Sequence, residues 1–205
     1  MPRVSSKEKY IAQVYDIFVA KGLGLSMDEI AIGLGLTKKT LYNNFESKED
    51  LIRTVVKYFY KGLEKKIEES IDNTSNAIEA LFVTSRVIEE EVDGVGLSLI
   101  REMSTYRAHE HVLDHVNRMS FYAKLIKVNL LKGIAEGLYI EEIDIEYTTL
   151  FYTCAIERFY KWEGSYEFLE SSSHFHAQLL KRHLFSITNT KGREVLEQYL
   201  IKKEI

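Results

Sequence analysis

Apolar positions recur along most of the chain at the spacing of an α-helix. Residues 7–21 carry Ile11, Val14, Tyr15 and Phe18 at i, i+3, i+4 and i+7, an amphipathic helix that Lys21 and Gly22 close. Ser26 stands three residues before Glu29, which is the spacing of a capping box. There the hydroxyl accepts the N3 amide while the carboxylate reaches back to the N-cap. Ile30, Ala31 and Leu34 give the following helix, about 27–34, one apolar face, and Gly35 sits where a left-handed residue would end it. Leu36 anchors the turn and Thr37 is the next N-cap. Leu41 and Phe45 share a face of the second short helix, with Lys38, Lys39, Thr40 and Asn43 facing out. Phe18, Ile30, Leu34, Leu41 and Phe45 are the expected core of this unit. Two short helices joined by a tight glycine-containing turn, the second polar and basic at its start, make a helix-turn-helix. The start of the second helix is where base-reading side chains sit.

The periodicity continues. Ser47 caps another helix, Glu49 and Asp50 suit its positive end, and Leu51, Val55, Phe59, Leu63 and Ile67 carry its apolar face to about residue 71. The domain boundary is expected near residue 50, with a helix-turn-helix domain at 1–50 (the motif at about 26–45) and a helical domain at 51–205. Residues 72–75 and 93–96 read as breaks around a helix over about 76–92. Further helices are expected over 97–119, 121–136 and 144–162, then 172–187, and last around Val195 and Leu200. Gly137 is the expected left-handed residue after the 121–136 helix, and Asp144 the cap of the next. No repeat, low-complexity tract or strand pattern stands out, so the predicted class is all-α.

Composition sharpens this reading in a few places. With 205 residues, 45% of them apolar, the chain can bury one sizeable core, or a small unit and a larger one. Its 13 Tyr and 10 Phe are too many for a disordered chain. The single proline is Pro2, so no such breaker interrupts the body. Cys154 is the single cysteine, which rules out an intrachain disulfide and suits a reducing cytoplasm. No apolar run has the length of a membrane span, and residues 1–7 lack the apolar core of a signal peptide. The expected location is therefore cytoplasmic, with no membrane partner. Net charge is −4, from a net of +1 over residues 1–53 (eight Lys and Arg against seven Asp and Glu) and −5 over the remainder. A broad basic surface is absent, so affinity for phosphates has to come from a few placed cations.

Phe18 and Gly22, then Ile30-Ala31, Gly35-Leu36-Thr37, Thr40-Leu41-Tyr42, Phe45 and Ser47-Lys48-Glu49-Asp50-Leu51 resemble the N-terminal domain of the TetR family of bacterial transcriptional repressors. The loop between Gly22 and Ser26 is one residue shorter than usual, and Gly24 is the residue expected to accommodate that. The resemblance covers about a quarter of the chain by motif. It implies a homodimer that binds a pseudo-palindromic double-stranded DNA operator and leaves it when a small-molecule effector enters the C-terminal helical domain. Thr37, Tyr42 and Lys48 match positions that hold the phosphate backbone, with Ser26 beside them at the start of the motif. Lys38, Lys39, Thr40 and Asn43 match positions that face the major groove, where Lys can donate to guanine, Asn pair with adenine and Thr touch a thymine methyl. The competing reading of Lys38 and Lys39 is a solvated helix face.

From the family's pocket position, Phe82, Tyr106, Phe121, Tyr122 and Tyr152 are candidates for an aromatic lining, with Glu89, Arg101 or His109 supplying polar contacts. Ordinary core packing is the competing reading for each. Dimerisation is expected through the helices at 144–162 and 172–187, whose apolar faces carry Tyr152, Phe159, Phe175, Leu179 and Leu184.

His109, His111 and His115 invite a metal reading, but Glu110 does not lie between the last two as in a zinc hydrolase, and surface histidines account for the run. No nucleophile–base set can be assembled, so no catalytic residue, metal or cofactor is assigned and the chain is read as a regulator, not an enzyme. The alternative is a helical small-molecule or metal-binding protein without operator binding, which the near-neutral charge and the shortened loop motivate.

Overall fold

The computed structural model describes residues 6–108, 120–161 and 172–203. Among these are ten helices: α1 (Ser6–Lys21), α2 (Met27–Gly33), α3 (Lys38–Tyr42), α4 (Lys48–Ile71), α5 (Ala77–Val95), α6 (Leu97–Ala108), α7 (Ser120–Ala135), α8 (Ile145–Lys161), α9 (Ser172–Ile187) and α10 (Thr190–Lys203). The described residues hold no strand; a single antiparallel bridge joins Tyr139 to Thr188. None of these helices is long and apolar enough to cross a membrane. Two compact units divide the chain, one of residues 1–63 and 92–112, the other of 64–91 and 113–205.

In the first unit the expected apolar positions become core. Val14, Phe18, Ile30, Leu41 and Phe45 are buried, together with Leu51 and Val55 on α4. Leu34 departs from expectation: it is the C-cap of α2 and half-buried, and Met27 and Ala31 fill the interior with Ile30 instead. The reason is length. Once α2 stops at Gly33, Leu34 no longer continues the buried face.

The expected break at 93–96 is also shorter than the sequence suggests. α5 runs through Gly94 to Val95, and the chain turns only at Gly96, whose φ is +90°.

The second unit is built on Ile78, Leu81, Leu130, Tyr139, Leu184 and Leu196, all buried. Its helix ends are joined by long-range polar bonds. The Ala77 amide donates to Glu136 Oε2 (2.8 Å), and Asn129 Nδ2 donates to the Ala77 carbonyl (2.7 Å). Asn129 Oδ1 in turn accepts from the Tyr139 hydroxyl (3.0 Å), so a buried amide and a buried phenol satisfy each other. Asn189 caps α10 by accepting from the Gly192 amide (3.0 Å), while its amide group donates to the carbonyls of Gly137 and Tyr139 (3.1 Å each). Gly192 is required here, because a Cβ would lie 1.9 Å from the Leu138 carbonyl oxygen. The α7 end follows the expected pattern: Gly137 has φ +66°, its amide donates to the Ile134 carbonyl and the Leu138 amide to that of Gly133.

The apolar faces of α8 and α9 differ from the expected ones. Tyr152 and Leu184 point into the core of their own unit, and Phe175 and Leu179 are half-buried. The Phe159 side chain lies outside the described residues. The outward face of α8 carries Tyr147 (66% exposed), Leu150, Phe151 (65% exposed) and Cys154 instead. Helical period explains the shift, since Tyr147, Leu150, Phe151 and Cys154 stand at i, i+3, i+4 and i+7 and Tyr152 falls on the opposite side.

Candidate nucleic-acid interface and a recess in the second unit

The helix-turn-helix is set by short-range caps. The Ser26 amide donates to Glu29 Oε2 (2.8 Å), its hydroxyl donates to the same oxygen (2.7 Å), and the Glu29 amide donates back to Ser26 Oγ (3.3 Å). These bonds from Ser26, the backbone one foremost, hold the Glu29 carboxyl below the usual carboxylate range. The Ser26 hydroxyl is therefore committed to the cap.

α2 ends in a full Schellman turn. Gly35 has φ +65°, its amide donates to the Ile32 carbonyl (3.0 Å) and that of Leu36 to the Ala31 carbonyl (2.9 Å). Ahead of it, Gly22, with φ +79°, makes the turn out of α1, and Gly24 has no such conformation. The left-handed residue of this loop is therefore Gly22, where α1 ends, and not Gly24.

Thr37 caps α3, accepting from the Thr40 amide (3.1 Å), with the two hydroxyls 2.9 Å apart. Tyr42 and Asn43 are exposed at the other end of this five-residue helix. Lys39 is exposed and has no carboxylate partner among the described residues. Lys38 differs: its ammonium lies 2.7 Å from Asp28 Oδ2 on α2, and that hydrogen bond holds its pKa above the ordinary lysine value. Lys48 opens α4, half-buried, beside a Ser47 cap that accepts from the Asp50 amide (3.1 Å). The structure thus brings the eight sequence-predicted residues into one short stretch. It leaves Lys39, Tyr42 and Asn43 uncommitted by ion pairs, and it ties Ser26, Thr37 and Lys38 to local partners.

In the second unit, α5, α9 and α10 enclose a recess of about 220 Å³ lined by Phe82, Ser85, Arg86, Glu89, Ala177, Leu180, Lys181, Tyr199 and Leu200. The Phe82 and Tyr199 rings stack at 4.5 Å, 17° from parallel. Ser85 Oγ donates to Glu89 Oε1 (3.1 Å). Tyr152 is buried and stacks on His183 at 4.1 Å; burial, then the Glu89 carboxylate, raises its phenol pKa. His183 Nε2 is buried without a hydrogen-bond partner, and burial pushes the ring down to about 4. Burial likewise lowers His176 to about 4.

Of the residues proposed from sequence as a ligand lining, Phe82 and Glu89 meet at this recess. Tyr152 lies in the adjacent core, and Tyr122 is half-buried on α7. Arg101, on α6, belongs to the first unit. The side chains of Tyr106 and Phe121, and all of His109, His111 and His115, lie outside the described residues. No group of three or more metal-ligating side chains converges among the described residues. Arg86, Lys181 and Tyr199 line the recess without being singled out by the sequence. Their helices are amphipathic, but nothing in the local pattern pairs Tyr199 with Phe82.

A capped three-helix unit presenting polar side chains on its last short helix has the arrangement of a helix-turn-helix. Residues 15–55, which contain that motif, match the family of bacterial regulatory proteins, tetR family. Over 101 residues the chain is 28% identical to the uncharacterized HTH-type transcriptional regulator YvaF of Bacillus subtilis, covering 48% of this chain and 53% of that protein. Over 136 residues it is 24% identical to the HTH-type transcriptional repressor KstR2 of Mycobacterium tuberculosis, covering 63% and 67%. The match thus spans about half the length of the first relative and two thirds of the second.

The fold likeness extends further. The solved structure of KstR2, a ketosteroid transcriptional regulator, aligns over 91% of this chain and 97% of its own, with a TM-score of 0.59 at 19% identity. That of AibR in complex with isovaleryl coenzyme A and operator DNA aligns over 87% and 97%, with a TM-score of 0.56 at 17% identity. Residues 15–55 thus resemble the tetR family of bacterial regulatory proteins in sequence, and over most of its length the chain shares the fold of these solved regulators.

Proposed function

We propose that this protein is a repressor that binds a pseudo-palindromic operator as a homodimer in the cytoplasm and leaves it when a small molecule binds the second unit, and that it is not an enzyme. The observation that carries the reading is the family-matching helix-turn-helix with an exposed Lys39, Tyr42 and Asn43 at its reading helix. Tyr42 and Lys48, with Thr37 at the helix start, are assigned to the phosphate backbone, and Lys39, Asn43, Thr40 and Lys38 to base edges. The relative solved with a coenzyme A thioester and operator DNA supports an effector acting through the same fold.

What supports the dimer is the outward apolar stripe of α8, where the Tyr147 and Phe151 rings stack at 6.3 Å in the open. Apolar stripes of this kind on one helix mark association surfaces. Light scattering of the full chain should give twice the chain mass, and Phe151→Glu should shift it to a monomer.

DNA flanking the protein's own gene is the substrate for the decisive test. In gel shifts at fixed salt, Lys39→Ala and Tyr42→Ala should each weaken binding by roughly five- to 150-fold, a loss of about 1–3 kcal/mol, with the helical content unchanged. Undiminished affinity in both variants would overturn the assignment.

A further inference from the structure

We propose that the recess between α5, α9 and α10 binds a small organic anion with a flat apolar body, and that this molecule is the effector. The second half rests on the repressor reading above; the first does not.

The recess offers two kinds of surface. One wall is flat and apolar, made by the stacked Phe82 and Tyr199 rings with Leu180 and Leu200 beside them. The other is cationic. Arg86 and Lys181 both line it, against the single carboxylate of Glu89.

The state of those three charges decides the sign of the ligand. Glu89 is already engaged by the Ser85 hydroxyl. Among the described residues Arg86 makes a loose i,i+4 pairing with Glu90, at 3.8 Å between exposed side chains. Lys181 has no carboxylate partner among the described residues. The lining carries two cations against one carboxylate, which favours an anionic ligand, and a guanidinium can take both oxygens of a carboxylate. A volume of about 220 Å³ is below the range of sites that enclose drug-sized ligands, and it accommodates one ring or a fused pair.

Position makes the site suited to control. α5 supplies Phe82, Ser85, Arg86 and Glu89, and the same helix continues past Glu91 into residues of the first unit. A ligand that changes how α5 is held therefore acts on a helix that both units share covalently.

The test uses the full chain and two probes of one shape, 2-naphthoate and the neutral 2-naphthalenemethanol. Calorimetry should show the carboxylate binding about tenfold tighter than the alcohol. Arg86→Gln and Lys181→Gln should each remove most of that preference while leaving the alcohol's affinity unchanged. Both side chains reach solvent, and a thermal melt matched to the wild type confirms that the variants fold. A carboxylate that binds no better than the alcohol, or a preference that survives in both variants, overturns the anion site.

Gel shifts test the second half. Naphthoate should release the operator fragment from the wild type and not from Lys181→Gln. Operator retention at saturating naphthoate overturns the effector role. Failure to bind any DNA fragment would instead strike the repressor reading, and the calorimetric result for the anion site would stand.

Discussion

The two units are held by polar bonds of very different reach. In the helix-turn-helix the bonds from Ser26, Thr37 and Ser47 each span three residues. In the second unit, Asn129 reaches Ala77 across 52 positions, Glu136 reaches Ala77 across 59, and Asn189 reaches Tyr139 across 50. The first kind of bond is set by local chemistry and costs little chain entropy to close. The second exists only after distant segments have met. Local caps make a unit that can be recognised and reused, whereas long-range polar bonds make one that tolerates little change at the points where segments touch.

The sharpest way to break this contrast is at the closest touch. Gly192→Ala places a methyl group 1.9 Å from the Leu138 carbonyl oxygen, a backbone atom that cannot rotate aside. Denaturant unfolding should show a loss of about 3 kcal/mol. A loss under about 1 kcal/mol would mean that the junction is softer than its bonds imply.

Next in size is a dependence on pH that belongs to the second unit. His183 and His176 are neutral when folded, with values near 4, against an ordinary histidine at about 6.5. Because their folded values are depressed, the unfolded chain takes up protons first as the pH falls. Stability present above pH 6.5 is lost progressively down to about pH 4, by about 2 kcal/mol per histidine at pH 5. His183→Phe keeps a ring against Tyr152 and removes the unpartnered nitrogen. Chemical denaturation at pH 7 and pH 5 should show the wild type losing about 2 kcal/mol more than this variant, and equal losses would refute the assignment.

A smaller effect separates cap from contact in the first unit. Ser26→Ala should cost about 1 kcal/mol of stability through the lost capping box, with operator affinity unchanged at a temperature where the variant is folded. A tenfold drop in affinity would restore Ser26 to the DNA surface. The smallest change concerns Lys38. Asp28→Asn releases its ammonium and removes an acid from the DNA-facing unit, so operator affinity should rise about threefold at low salt and less at high salt. Weaker binding would show that Asp28 positions Lys38 for the groove.

The same contrast explains which parts of the molecule are legible in the sequence. Caps, turn glycines and the apolar faces of α1 to α4 follow from neighbours three or four residues away, so Ser26, Gly35, Leu41 and the run from Leu51 to Ile67 can be read directly. The Asn129–Tyr139 pair, the Asn189 cap and the stack of Phe82 on Tyr199 carry no local signature, because each member looks ordinary until its partner arrives. The outward face of α8 differs from expectation for a related reason. Its apolar residues cover both sides of the helix, and period alone does not say which side faces the core. Within the reading helix the residue types are legible, but the pairing of Lys38 with Asp28 crosses from α3 to α2 and is not.

That pairing also bears on how the protein would search a chromosome. A lysine already facing a carboxylate 2.7 Å away gains little by exchanging it for one phosphate oxygen. On the proposed repressor reading, Lys38 then adds little to contacts with random sequence. Only a base edge that presents two acceptors at the right height makes the exchange worthwhile, so selectivity arises partly from reluctance elsewhere.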